Sequence, residues 1–122
     1  MSIRLSGMVK VPAAFSQRRS RLENYIIRVE LNGSPSAAVY QRLHEAMRLA
    51  KTRRTVVGDD GVTYSLPHAT YVGQSPRLAT EVRDTLLPDI EAIWMDCDVI
   101  VFRYDQAAWK LRQHRGLGLL AA

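Results

Sequence analysis

The chain has 122 residues, 47% of them hydrophobic and 24% charged, which fits one soluble globular domain with a single core and leaves no room for two. No apolar run approaches the ~18 residues needed to cross a bilayer, and Arg4 and Lys10 interrupt any secretory signal, so a cytoplasmic protein is expected. The net charge of +5 is unevenly placed: residues 1–23 hold five basic residues (Arg4, Lys10, Arg18, Arg19, Arg21) and one acid, Glu23, so almost all the excess sits in an N-terminal arm. Such a cluster suits phosphate backbones or acidic partners, or serves as a solvated tail.

From Asn24 the pattern changes. Tyr25, Ile27, Val29 and Leu31 alternate with Ile26, Arg28 and Glu30, which is the signature of a half-buried strand. Asn32-Gly33-Ser34-Pro35 ends it, with Ser34 expected as N-cap and Pro35 as first helical residue. A helix then runs to about Lys51. Val39, Leu43, Met47 and Ala50 form its apolar stripe, with Arg42, Glu45 and Arg48 away from it.

Thr55–Val57, the turn Gly58-Asp59-Asp60-Gly61 and Val62–Leu66 predict a hairpin. Pro67 implies a bulge or edge before the chain resumes as Ala69–Val72. Ser75 and Pro76 repeat the Ser-Pro start for a second helix with Leu78, Val82 and Leu86 inward and Pro88 as its stop. A long strand from Ala92 to Tyr104 and a short helix from Gln106 to Arg115, anchored by Trp109, complete the domain. Residues 116–122 form a weakly docked tail. The expected fold is therefore α+β, ferredoxin-like β-α-β-β-α-β, a four-stranded antiparallel sheet with both helices on one face. Residues 24–115 form the domain, after the arm of residues 1–23.

Few residues suggest chemistry. Cys97 is the single cysteine, lies in an apolar run and reads as core. His44, His68 and His114 have no metal-ligand spacing, Asp59-Asp60 reads as turn chemistry, and Asp96 and Asp98 share a strand face as a solvated strand end or a hard-cation contact. No metal or cofactor is expected. Phosphate loops and serine-hydrolase elbows are missing, as is the aromatic signature of RNA-recognition domains. What is left is Arg28 and Glu30 on the first strand, Arg42 and His44 on the first helix, and His68 and Tyr71 near the third strand. Metal-free RNA cleavage needs residue types of this kind: imidazole for proton transfer, guanidinium to hold phosphate, and tyrosine to stack or donate.

Three stretches resemble the GhoS family, the antitoxins of type V toxin–antitoxin systems: Asn24-Tyr25-Ile26-Ile27-Arg28-Val29-Glu30; Tyr40-Gln41-Arg42-Leu43-His44-Glu45-Ala46-Met47; and Thr55–Gly61 running on to Ala69-Thr70-Tyr71-Val72. The resemblance covers roughly Asn24–Trp109. It implies a ferredoxin-like domain related to the CRISPR-associated Cas2 nucleases and sequence-selective endoribonuclease activity on a toxin transcript. It further implies that a basic residue on the first helix and an aromatic on the third strand serve the activity. Carried over, these are His44 and Tyr71, where one family member has arginine and phenylalanine, with Arg42 as a neighbouring clamp. Arg18, Arg19, Arg21 and Arg28 would collect RNA. The aspartate that Cas2-type metal chemistry uses near the end of the first strand is replaced here by Glu30 and Asn32, so a metal-independent mechanism is favoured. Two alternatives stand beside this reading: RNA binding without cleavage, and a non-catalytic module (a phage-type inhibitor or regulator) that pairs with a protein or a second copy through Ile26, Ile100 and Phe102.

Overall fold

The computed structural model describes residues 21–115. Strand β1 (Glu23–Leu31) is followed by helix α1 (Ala37–Leu49), the hairpin strands β2 (Thr55–Val57) and β3 (Thr63–Ser65), strand β4 (Thr70–Ser75), helix α2 (Ala79–Ile93) and strand β5 (Cys97–Tyr104). The alternation read in β1 has its physical consequence here. Tyr25, Ile27, Val29 and Leu31 are buried, while Arg28 and Glu30 are exposed on the other face. Leu43 and Met47 of α1 and Leu86 and Ile90 of α2 join Ile27, Val29, Leu31, Ala69 and Tyr71 in one core, so both helices cover the same face of the sheet. No helix among the described residues is long and apolar enough to cross a membrane.

The class is α+β with an antiparallel sheet, but that sheet has three strands in the order β4-β1-β5, and β2 and β3 form a separate pair. The expected fourth strand is reduced to one bridge, Arg53 with Val72, whose two backbone hydrogen bonds are 2.8 and 2.9 Å. Beyond it, β2 has a closer partner. The Asp-Gly turn brings β3 back within a few residues, and Leu66 N–H already donates to the Arg54 carbonyl at 2.9 Å. Closing a short loop costs less conformational entropy than continuing along β4. Asp60 fixes the turn, its carboxylate accepting from Val62 N–H at 2.9 Å and from the Tyr64 hydroxyl at 2.7 Å.

Several boundaries differ from the sequence expectation. The cap of α1 is Ser36, whose Oγ accepts from Val39 N–H at 3.4 Å, two residues later than Ser34. Helix α1 ends at Leu49 in a Schellman turn: Thr52 N–H donates to Met47 C=O at 3.1 Å and Lys51 N–H to Arg48 C=O at 2.9 Å. Ala50, expected on the apolar stripe, is the exposed C-cap. Ser75 does not cap α2, because it still belongs to the ladder opposite Glu23; its Oγ accepts from Arg77 N–H within a turn. The cap is supplied instead from inside the helix, Glu81 Oε1 accepting from Leu78 N–H at 2.8 Å.

Pro88 does not stop α2, which runs on to Ile93. The proline ring lies on the exposed side, and Leu86 and Ile90 on either side of it are docked in the core, which offsets the lost helical hydrogen bond. Ala92 and Ile93 thus belong to the helix, and β5 begins at Cys97, which is half-buried against the core. Residues 106–115 are not helical. Their last part, residues 112–114, runs along the open edge of β3, where Ser65 N–H donates to Arg112 C=O and His114 N–H to Thr63 C=O, both at 2.9 Å. An unpaired strand edge satisfied by extended chain competes well with an isolated short helix. Trp109 still anchors the segment, its ring 6.2 Å from that of Tyr64. The expected tail of residues 116–122 lies outside the described residues, as do Arg18 and Arg19 of the arm; Arg21 is exposed ahead of β1.

Candidate active site

The register of one bridge organises the site. Antiparallel strands place opposed residues on the same face. Arg53 lies opposite Val72 on the helix-free side, so the next residue pair, Arg54 and Tyr71, falls on the helix side. There α1 passes overhead, and helical spacing from Leu43 and Met47 turns His44 down toward Tyr71.

The Tyr71 hydroxyl and His44 Nδ1 are 2.6 Å apart, a contact between residues 27 positions apart in sequence. Both are buried: Tyr71 is 1% exposed and His44 8%. Burial, reinforced by the positive charge of Arg54 and by His68, lowers the His44 pKa to about 4, so the imidazole is neutral near pH 7. Burial also raises the Tyr71 phenol to about 12, with Arg54 opposing the shift. In the Nε2–H tautomer, the Tyr71 hydroxyl donates a hydrogen bond to Nδ1, which gives each of those two buried atoms a partner.

His68 stands at the outer edge of this pair. Its exposed ring meets Tyr40 edge-on at 4.4 Å and lies 5.9 Å from His44. On the other side of His44 a groove of about 350 Å³ is lined by His44, Tyr71, Arg48, Arg53, Arg54 and Thr55, among others. Arg48 is committed to Glu45 by a pair of bonds at 2.6 and 3.1 Å. Arg53 and Arg54 have no carboxylate partner among the described residues, and of the two it is Arg54, on the helix side, that is available to an anion in this groove.

The sequence candidates therefore divide. His44, Tyr71 and His68 converge. Arg42 lies two residues from His44, about 200° around a helix, is exposed, and does not line the groove. Arg28 is on the opposite face of the sheet, 3.8 Å from Glu30, and thus separated from His44 by the strand layer. Arg54 is the guanidinium that the residue pattern did not single out. The signal was the basic run Lys51-Thr52-Arg53-Arg54 directly before a strand.

Asp96 and Asp98 share one partner, the Asn32 side-chain amide, which donates to them at 3.2 and 3.3 Å and ties the end of β1 to the start of β5. No group of three or more metal-ligating side chains occurs among the described residues. The helix-free face carries Ile100 and Phe102, 47% and 52% exposed, beside half-buried Ile26. Compared with models of known protein families and with curated proteins, the sequence matches none.

Proposed function

We propose that this protein is an RNA-directed, metal-independent endoribonuclease of the antitoxin kind, with its site in the groove between α1 and the Arg53–Thr55 segment. The reading takes the domain as a ferredoxin-like relative whose fourth strand has been cut back to the Arg53–Val72 bridge. One observation carries it. The two positions that the GhoS resemblance marks, His44 on the first helix and Tyr71 on the sheet, are hydrogen-bonded to each other beside the guanidinium of Arg54.

In this reading Arg54 holds the scissile phosphate and stabilises the charge that builds on it. The RNA 2′-oxygen attacks phosphorus, its proton passes to water, the bond to the 5′-oxygen breaks, and that oxygen takes a proton from water as it leaves. The products are a 2′,3′-cyclic phosphate and a 5′-hydroxyl. His68, the exposed imidazole, lies across His44 from this groove and does not line it, so it does not reach a phosphate held there. His44, neutral and tethered by Tyr71, sets the position of the groove wall and keeps a second full positive charge away from Arg54.

Burial of the His44–Tyr71 pair favours a second reading, RNA binding without cleavage, because substrate reaches only the rim of those two rings. A cleavage assay on a mixed RNA pool, with and without EDTA, separates them. The enzyme reading expects EDTA-resistant cutting that falls by roughly a hundredfold or more in Arg54→Ala. Folded protein that retains RNA at low salt yet cuts nothing in the pool would establish the binding reading instead.

A further inference from the structure

We infer that the protein has a second site, distinct from the groove, that takes a small amphipathic carboxylate: an apolar chain or ring with one negative head. It lies where the helices part company with the sheet. Helix α1 ends at Leu49, α2 enters from Ala79, and between them and strands β1 and β4 is a cavity of about 300 Å³. That is the lower end of the range of roughly 300–1,000 Å³ usual for small-molecule sites. Its walls are mostly apolar, supplied by Tyr25, Ile27, Val82 and Leu86. The floor is open because Gly73 sits opposite Tyr25 and so faces the helices without a side chain. A Cβ added there would sit in ordinary contact with Thr52 Cγ2 at 3.4 Å and the Lys51 carbonyl at 3.5 Å, so a methyl fits and a longer side chain would have to extend into the cavity.

Charge at the rim supplies the other half of the argument. Lys51 and Arg77 both line the cavity, both are exposed, and neither has a carboxylate partner among the described residues. Two acids are also felt at Tyr25 in the cavity wall, Glu23 and Glu81, the second of which accepts from the Leu78 N–H. Lys51 is also an unusual residue for its backbone. It occupies the C′ position of the Schellman turn with φ of 71°, where glycine carries no steric cost. A lysine held in a left-handed conformation at the mouth of an apolar cavity, beside a second unpaired cation, is suited to an anionic head group with its tail inside.

Calorimetric titration of the full 122-residue chain with octanoate, and with octan-1-ol as its neutral counterpart, tests this. Octanoate should bind one-to-one and saturably, and octanol several-fold more weakly. Lys51→Gly should melt higher than the parent yet bind octanoate roughly threefold to fivefold less tightly, a combination that general destabilisation cannot produce. The Lys51→Gly, Arg77→Ala pair should bring octanoate down to octanol, leaving octanol unchanged. Gly73→Leu, which fills the floor, should abolish both, with Thr85→Phe as an independent plug from α2. Octanoate that does not saturate in the millimolar range, equal affinity of acid and alcohol, or undiminished binding in both plugged variants would each overturn the assignment. None of these readouts involves RNA.

Discussion

Acidification should destabilise this fold through a single buried imidazole. His44 has a pKa of about 4 in the folded chain and an ordinary value of 6.5 when unfolded. The unfolded state therefore binds more protons between those values, and stability present above pH 6.5 is lost as the pH falls toward 4. One pKa unit corresponds to about 1.4 kcal/mol, so the whole window is worth about 3 kcal/mol, of which about 2 kcal/mol is lost between pH 7 and pH 5. That is a large fraction of the ~5–15 kcal/mol that holds a domain of this size together. Urea unfolding followed by tryptophan fluorescence at pH 7, 6 and 5 measures it directly, since Trp94 packs against the core and Trp109 against the hairpin. The control is His44→Gln, which keeps an amide near the Tyr71 hydroxyl but does not titrate. It should be less stable than the parent at pH 7 and show a much flatter pH dependence. Parallel pH profiles for the two proteins would refute the argument, because the proton would then be taken up elsewhere or His44 would be solvated.

Tyr71→Phe removes the hydroxyl and leaves His44 Nδ1 without its partner in a buried setting, so equilibrium unfolding should report a loss of about 1–3 kcal/mol. Gly58→Ala should loosen the β2–β3 hairpin: the new methyl would lie 2.8 Å from Asp60 Oδ1, and the displaced carboxylate would release Val62 N–H and the Tyr64 hydroxyl, visible as faster amide exchange at Val62. Pro88→Ala should raise the melting temperature, because an N–H is restored on the exposed side of α2 without disturbing Leu86 or Ile90; a gain of at least ~1 kcal/mol is expected, and a loss would mean that the ring packs against something the helix needs.

The core was legible in the sequence because it depends on periodicity. The two-residue alternation of β1 named its four buried residues, and the helical spacing of Leu43 with Met47 named the inner face of α1. Boundaries were less legible wherever two local solutions competed. Ser34 and Ser36 both offer a capping oxygen, and nothing in composition chooses between them. Ser75-Pro76 has the chemistry of a helix start, but a ladder position opposite Glu23 holds the residue extended. Residues 106–115 have enough helix formers to suggest a helix, whereas the decisive fact, an unsatisfied edge on β3, is a property of another segment. His44 shows the same limit in the site. Its neighbours in sequence make it look like a helix-surface histidine, and only the meeting of α1 with β4 makes it a buried partner of Tyr71.

The departure from a four-stranded sheet is also what gives the candidate site its shape. Had β2 continued along β4 beyond Arg53, successive residues would have paired across that edge. Instead, pairing ends at Arg53–Val72, and the chain turns to its own hairpin, with Arg54 already giving its carbonyl to Leu66. The Arg54 side chain is left on the helix side, where its charge reaches both His44 and Tyr71. A buried imidazole close to a guanidinium is held neutral, and a neutral imidazole can stay in the core only while it has a hydrogen-bond partner, which Tyr71 supplies. The strand that breaks off, the arginine it exposes and the uncharged pair beneath it are thus consequences of one register. Removing the Arg54 charge should accordingly do two things at once: weaken the groove for phosphate and raise the His44 pKa. A histidine titration by NMR in Arg54→Gln that left His44 where it is in the parent would break that link.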